Sequence, residues 1–420
     1  MMLSKVFLPA ITGHVPTDMV RAISAFSEFC SLVRRSVISE DSLLSIDEAV
    51  ISFHHYREIF CNVGVRPTGF SLPRQHSLVH YHHLIQMFGA PNGLCSSITE
   101  SKHIKAVKKP WRRSNRHNAL GQMLITNQRL SKLAAAHVDF TARGMMEGHG
   151  LQLDVEQDDD ADADADAEDG EKCLGEVKLA KTYGECEPCY FINHLTTSTA
   201  RGYPRDINQL SHHTGHLNLQ ELIQRFLYDQ LHLDAEISGQ DIDLQECPQI
   251  DGYFIRVFHS AVATFYAPSD ISGIHGMHRE RIYSTPSWRQ GPCHYDCVFI
   301  EKDPTLDGFQ GMHVACVYLF FSFTHNNITY PCALVHWFSP ISNEPCEDTG
   351  MWIVEPDILP DRSYLKAVIH LDCILCGAHL IGNYGRCFLP KDFSYHDSLD
   401  AFDSYYVNKY ADHQSHEIAF

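Results

Sequence analysis

Apolar side chains recur at helical spacing through the first third of the chain. Four stretches, residues 16–36, 42–64, 73–89 and 118–140, each place their apolar positions on one face and end in capping or helix-breaking residues. The last stretch is predicted to pack inward through Ala119, Leu120, Met123, Leu130, Leu133 and Ala134. The pattern therefore predicts an all-helical unit over residues 1–145.

From about residue 250 the period changes to that of β-strands. Runs of β-branched and aromatic residues separated by turn residues predict five strands, at Tyr253–Tyr266, Tyr295–Lys302, Met312–Thr324, Ile328–Phe338 and Gly350–Glu355. Asn326 and Asn327, between two apolar runs, predict a tight β-hairpin turn. The short links predict a small, strongly curved β-barrel-like domain over residues 251–420, with Ile369–Tyr384 as a helix or turn that covers one end.

The two predicted units are separated by a change in composition. Residues 154–171 are almost entirely acidic or small, so they cannot bury enough apolar surface to order themselves. We expect a disordered acidic linker over residues 146–175, then a mixed α/β connector over residues 176–250 that contains a helix at Leu217–Leu233. The predicted fold class is α+β. The acidic tract lacks the spacing of an EF-hand loop, and it is either a solvated spacer or a competitor of DNA for a basic segment.

Composition and charge limit the classes of protein to which this chain can belong. The 420 residues are 44% hydrophobic, and the formal charge of −19 argues against a general coat for nucleic acid. The first residues lack a signal-peptide core, and the longest apolar run is too short to cross a bilayer. Fifteen cysteines without a framework spacing are typical of reduced thiols, so we expect an intracellular protein with no membrane association.

One basic segment reverses the overall charge. Thr99 can cap a helix, which would place Glu100 in its first turn, and cations then follow without an intervening acid. Pro110 is predicted to stop this helix and to leave the remaining cations in an exposed loop. Such a run suits phosphate, although a solvated helix face has the same composition. The candidate nucleic-acid-binding residues are Lys102, His103, Lys105, Lys108, Lys109, Trp111, Arg112, Arg113 and Arg116.

Other chemistry is weakly signalled. The pairs Cys186/Cys189 and Cys373/Cys376 lie far apart, and the histidines have no HExxH spacing, so no metal site is predicted. No nucleophile, P-loop or dinucleotide motif is present, and structural roles are favoured for the histidines and acids of the β-rich part. Trp337, Phe338 and Trp352 either form an aromatic peptide pocket or belong to the core.

Five segments carry a resemblance to a known family: Leu72–Tyr81, Gly93–Lys105, Asn118–Leu124, Thr329–Phe338 and Asn408–His413. Through them most of the chain resembles the C-terminal part of fungal transposases of the Plavaka and Kyakuja/Dileera/Zisupton type, which are related to plant CACTA (En/Spm) transposases. The helical unit is similar to the segment that follows the catalytic core in those enzymes. The β-rich part is similar to their accessory domain.

The resemblance implies a DDE-type enzyme in its complete form, in which three acids hold two Mg²⁺ ions and move DNA strands. Glu100 aligns with the last acid of that trio, and the other two acids would lie upstream of Met1. Because one carboxylate cannot hold two Mg²⁺ ions, we expect this chain to need no cofactor and to cut no DNA. The chain is then expected to be a non-catalytic, DNA-binding fragment that derives from a transposable element and lies in the nucleus. Its expected partners are DNA of any sequence and a full-length transposase or another protein. The alternative is a protein-interaction or chromatin-associated module built on the β-barrel-like domain.

Overall fold

The computed structural model describes residues 2–94, 103–143, 176–179, 200, 202–232, 237–250, 252–267, 269, 277–288, 291–303, 305–306, 308–385, 389, 391 and 393–419. The predicted acidic linker at 146–175 and the pair Cys186/Cys189 lie outside these ranges. Helices dominate the first third of the chain and antiparallel strands dominate the last, so the α+β class is confirmed at this level.

The N-terminal helices form a small bundle. Its helices are α1 (Met2–Ile11), α2 (Thr17–Leu32), α3 (Glu40–Tyr56), α4 (Ile59–Asn62), α5 (Pro73–His76) and α6 (Tyr81–Phe88), with 3₁₀ turns at Ser77–His80 and Pro91–Leu94. The side chain of Ser39 caps α3 by accepting a hydrogen bond from the backbone N–H of Ser42. Phe29, Ile46 and Ile85 belong to the buried core between α2, α3 and α6.

The later helices are α7 (Lys109–Arg113), α8 (Ala119–Ala142), α9 (Ile207–Thr214), α10 (Leu219–Leu231) and α11 (His413–Ala419), and a π-helical turn at Ile104–Lys108 precedes α7. The prediction for α8 was right about the helix and wrong about its inner face. Ala119 is buried, but Leu120, Leu130 and Leu133 are 65%, 52% and 61% exposed. Apolar spacing alone predicts a buried stripe only where another element covers it.

The strands form two antiparallel sheets. Their bounds are β1 (Glu176–Leu179), β2 (Arg256–Phe258), β3 (Ser260–Tyr266), β4 (Met277–Thr285), β5 (His294–Tyr295), β6 (Cys297–Glu301), β7 (Met312–His325), β8 (Ile328–Pro340), β9 (Ile353–Pro356), β10 (Lys366–His370), β11 (Ile374–Ala378), β12 (Leu380–Gly382) and β13 (Tyr405–Val407). The smaller sheet has the order β1-β3-β4-β5. The larger has the order β11-β6-β7-β8-β9-β13-β12, with β10 also on β8 and β2 also on β7. Together they make a nearly closed, barrel-like β domain, as expected in outline.

The long β7–β8 hairpin is the centre of this domain. Asn326 and Asn327 form its turn with φ angles of 49° and 65°, the pair of positive values that a type I′ turn requires, so the hairpin prediction is confirmed. One side of the hairpin packs into a core that includes Phe299, Val335 and Phe338. The other packs under α9 and α10 through a second core that includes Phe321 and Leu334.

The prediction of a helix or turn at Ile369–Tyr384 was wrong. This segment contains the end of β10, a short 3₁₀ turn, β11 and β12. Ile369 pairs with Ala333 of β8, and Gly377 pairs with Val298 of β6, so the segment extends the sheet rather than covering it. Short apolar runs do not distinguish a buried strand from a buried helix, and pairing with β6 and β8 decided the outcome.

The helical bundle is joined to the β domain through α1 and α2. Arg21 forms ion pairs of 2.8 and 2.9 Å with Glu347 and Asp348. Nearer the C-terminal end of α2, the carboxylate of Glu28 accepts from the ammonium group of Lys409 at 2.7 Å. Its other oxygen lies 3.0 Å from Nε2 of His416 in α11. α2 of the helical bundle therefore meets the C-terminal helix α11 and Lys409 at one contact.

Candidate nucleic-acid interface

The basic segment folds as a helical hairpin. We call residues 103–142 the basic hairpin: the π-helical turn and α7 form one arm, residues 114–118 the turn, and α8 the other arm. The side-chain amide of Asn127 in α8 donates to the carbonyl of Ala106 at 2.7 Å and ties the arms together. The amide of Gln122 donates to Asn115 Oδ1 and to the carbonyl of His117, and thereby holds the turn.

Pro110 does not end the helix, which corrects the prediction. It lies in the first turn of α7, directly after the π-helical turn, and it is buried. Proline is tolerated at the start of a helix because the N–H that it lacks has no intrahelical acceptor there. A π-helical turn shifts the hydrogen-bond register just before this point, so the chain passes Pro110 without entering a loop.

The cations form a stripe along the outer face of the first arm. Positions 108, 109, 112 and 113 follow helical spacing, and Lys108, Lys109, Arg112 and Arg113 are all exposed. His103 and Arg116 are exposed at either end, and Arg116 has a positive φ of 61° in the turn. Within the part of the chain that the structure describes, none of Lys108, Lys109, Arg112 and Arg113 makes an ion pair. The stripe is therefore available to an external anion.

The residues around the stripe strengthen its positive electrostatic potential. Between Ser101 and Val138 the chain has nine Lys and Arg residues and no Asp or Glu, although its formal charge is −19. Trp111, beside the stripe, is 45% exposed, so its indole is neither core nor fully free. If the stripe were only a solvated surface, acids would be expected among the cations, because solvated helix faces usually carry charges of both signs. The absence of Asp and Glu therefore favours an anion-binding role.

Three predicted residues cannot be placed with their side chains. Glu100 and Lys102 lie outside the described residues, and only the backbone of Lys105 is described. The structure brings together His103, Lys108, Lys109, Trp111, Arg112, Arg113 and Arg116 on the first arm and turn of the basic hairpin.

A second polar cluster, which the sequence did not reveal, lies where α10 begins against the large sheet. Lys366 donates from Nζ to His216 Nδ1 at 3.2 Å and lies 5.1 Å from the centre of the Tyr318 ring. His336 stacks on Tyr364 at 4.5 Å, and both of its ring nitrogens are buried without a hydrogen-bond partner among the described residues. We call these five residues the His336 cluster.

The His336 cluster holds its histidines neutral. Burial, assisted by the charge of Lys366, lowers the pKa of His336 to about 3 and that of His216 to about 4. Only tertiary pairing could reveal this arrangement, because β7, β8, β10, the loop before α10 and the loop before β10 each supply a single residue.

The remaining sequence candidates do not assemble into a reactive site. Cys373 is exposed and Cys376 is buried, and burial raises the pKa of both thiols. No group of three or more His, Cys, Asp or Glu side chains with metal-ligand geometry occurs within the described ranges. Phe338 and Trp352 both belong to the main buried core, where Trp352 stacks on Phe309 at 5.0 Å, and Trp337 packs against that core, so the core alternative holds for these three residues.

Comparison with protein-family models, with curated proteins and with solved structures finds no match to this chain. None of the helices in the described part of the chain is both long enough and apolar enough to cross a bilayer.

Proposed function

We propose that this chain binds the phosphate backbone of DNA through the basic hairpin, without reading base sequence. The observation that carries the proposal is the exposed stripe of Lys108, Lys109, Arg112 and Arg113 in a zone without acids. Lysine and arginine that replace condensed counterions on the phosphates supply sequence-independent affinity.

The architecture of the hairpin supports this role over that of an inert surface. The two arms hold each other through Asn127 and Ala106, so the stripe lies on a supported helix rather than on a flexible tail. A helix with side chains spans about 10–12 Å and fits the major groove, or lies along it against the phosphates. Contacts to phosphate carry no sequence information, which is why sequence-tolerant binding is expected.

The proposed origin is a fungal DDE-type transposase of the Plavaka and Kyakuja/Dileera/Zisupton type. Five sequence segments support it, among them Gly93–Lys105, which leads into the basic hairpin, and Thr329–Phe338, which forms most of β8. In this proposal the chain holds DNA in the nucleus and does not cleave it, and a complete transposase that brings its own catalytic acids and Mg²⁺ is the protein partner.

The proposal is tested by fluorescence anisotropy with two labelled duplexes of unrelated sequence. The variant Lys108→Gln/Lys109→Gln/Arg112→Gln/Arg113→Gln is expected to lose about 100-fold in affinity for both duplexes, because four phosphate contacts disappear together. A matched control, Arg205→Gln/Arg256→Gln/Arg362→Gln/Lys391→Gln, has the same net charge and removes exposed cations elsewhere.

The control should change the affinity by less than about threefold, since only long-range attraction is lost. Equal losses in the two variants would show that binding follows net charge and would refute the hairpin as the site. A preference of the wild type for one duplex by more than about tenfold would refute binding through phosphate alone.

A further inference from the structure

The smaller sheet has an outer face that the DNA-binding proposal does not use. Side chains of a strand alternate between its two faces, and Ala261 of β3 and Ile282 of β4 point into the core. Glu280 points the same way, because its carboxylate accepts from the N–H of Gly377 in β11 at 2.9 Å. The residues between these point away from the core. We call the following four the outer sheet face: Tyr266, Arg279, Arg281 and Tyr283.

The outer sheet face carries two arginines whose charges are not neutralised by a partner. Arg279 is exposed and Arg281 is half-buried, and they lie about 6.6 Å apart along β4. Within the described ranges neither side chain forms an ion pair or a hydrogen bond. β3 and β4 place no acid on this face, and β1 adds one glutamate and one lysine position, which cancel. The face is therefore positive.

Aromatic residues lie at both ends of this pair of cations. Tyr266 ends β3 opposite position 277, one same-face step from Arg279, and it is 47% exposed. At the other end the ring of Tyr283 contacts that of Trp288 at 4.3 Å, and both rings are half-buried. The N–H of Trp288 donates to the carbonyl of Pro292 at 2.9 Å, which fixes its turn. Rings and cations thus follow one strand over about 20 Å.

The acid nearest to the aromatic end is engaged by its own neighbours. Asp296 lies 2.8 Å from Nε2 of His294 through one carboxylate oxygen. Its other oxygen accepts from the backbone N–H of Tyr283 at 2.7 Å. Both oxygens of Asp296 are therefore directed at His294 and the backbone of β4, which leaves the two arginines to an external anion.

We infer that the outer sheet face binds single-stranded DNA, with phosphates at Arg279 and Arg281 and bases against Tyr266 and the Tyr283–Trp288 pair. Cations that follow the backbone, combined with aromatic rings on which bases stack, suit a single strand. A duplex keeps its bases paired and stacked inside, so it cannot use the rings. The choice of DNA over RNA rests on the proposed function, whereas the site shares no residue with the basic hairpin.

The experiment measures anisotropy of labelled oligo(dT) with the full chain in which Lys108, Lys109, Arg112 and Arg113 are all changed to Gln. Binding that remains then reports on the sheet. Adding Arg279→Gln/Arg281→Gln should lower the affinity at least about tenfold and should make the salt slope shallower by about 1.4, since each single-strand phosphate contact contributes about −0.7. The control Arg205→Gln/Arg362→Gln has the same net charge and should change the affinity less than about twofold.

A second pair of variants tests stacking separately from charge. Tyr266→Ala should weaken oligo(dT) binding about tenfold because one base loses its platform, whereas Tyr266→Phe keeps the ring and should stay within about twofold of the parent. Tyr266 is exposed, and thermal unfolding by circular dichroism checks that every variant folds. A duplex of the same length should bind at least about tenfold more weakly than oligo(dT), and poly-glutamate should not compete.

The inference is overturned if Arg279→Gln/Arg281→Gln behaves like its control, or if Tyr266→Ala has no effect. Equal binding of the duplex, or competition by poly-glutamate, would show a general anion surface instead. Tighter binding of oligo(U) than of oligo(dT) would overturn the choice of DNA. Failure of the hairpin proposal gives a different result, because duplex binding by the wild type would then be insensitive to the four hairpin substitutions.

Discussion

The basic hairpin and the β domain use apolar residues in opposite ways. In the β domain most apolar side chains of β7 and β8 are buried in two cores, and Phe321 is fully buried. In the basic hairpin the two arms pack mainly on each other, and Leu124 of α8 is 61% exposed. The difference teaches that the β domain is held by its interior, whereas the hairpin presents its residues to whatever lies outside.

The sharpest test of this contrast is a pair of truncations. Phe321→Ala should lower the free energy of unfolding by about 3–5 kcal/mol, since it leaves a cavity between the sheet and α10. Leu124→Ala should change it by less than about 0.5 kcal/mol, because the leucine is already in water. Urea unfolding followed by circular dichroism measures both. A loss of more than about 2 kcal/mol in Leu124→Ala would mean that α8 is covered in solution.

The contact between α2 and the β domain should have the next largest effect. Burial alone would raise the pKa of Glu28, but the hydrogen bond from His416 and the charge of Lys409 outweigh it and hold that pKa well below its usual range. Lys409→Met removes one partner of a half-buried pair and should lower the free energy of unfolding by about 2–3 kcal/mol. The exposed control Lys391→Met should cost less than about 0.5 kcal/mol. Equal effects in urea unfolding would show that α2 is only loosely attached.

Acid should weaken the β domain through the His336 cluster. The folded-state pKa of His336, about 3, lies below the unfolded value of 6.5, so protons bind the unfolded chain more strongly and stability falls as the pH falls below 6.5. Between pH 7 and pH 5 this histidine should account for roughly 2 kcal/mol of lost stability. His336→Phe should remove that share while leaving the remaining pH dependence. Urea unfolding at both pH values measures it, and identical losses in wild type and variant would contradict the assignment.

The smallest expected effect lies in the turn of the β7–β8 hairpin. Asn327→Gly should raise the free energy of unfolding by about 0.5 kcal/mol, because glycine adopts the φ of 65° without steric cost. Differential scanning calorimetry resolves a shift of this size against the wild type. Destabilisation by the same change would mean that the asparagine side chain, rather than its backbone conformation, stabilises the turn.

Sequence reasoning succeeded where local chemistry decides the structure. Asn326 and Asn327 define their turn by backbone conformation alone, and the periodicity over residues 16–36 matches a helix that has a core beneath it. It failed at Ile369–Tyr384, where pairing with β6 and β8 overrides local preference, and at Leu120 and Leu133, where no covering element removes the side chains from water.

The candidate site divides in the same way. The cationic stripe could be found from sequence because helical spacing aligns positions 108, 109, 112 and 113. The passage of the helix through Pro110 could not, since it depends on the π-helical turn before it. The His336 cluster could not be found from sequence, because its members come from distant strands and loops.

The central claim is that the basic hairpin binds DNA phosphates, and the salt dependence of binding tests it most directly. For wild type, the logarithm of the association constant should fall with the logarithm of the salt concentration with a slope of about −4, since each phosphate contact contributes about −0.9. The variant lacking the cations at 108, 109, 112 and 113 should retain a slope of about −1 at most. A wild-type slope that is already this shallow, or one that the substitutions leave unchanged, would contradict the account.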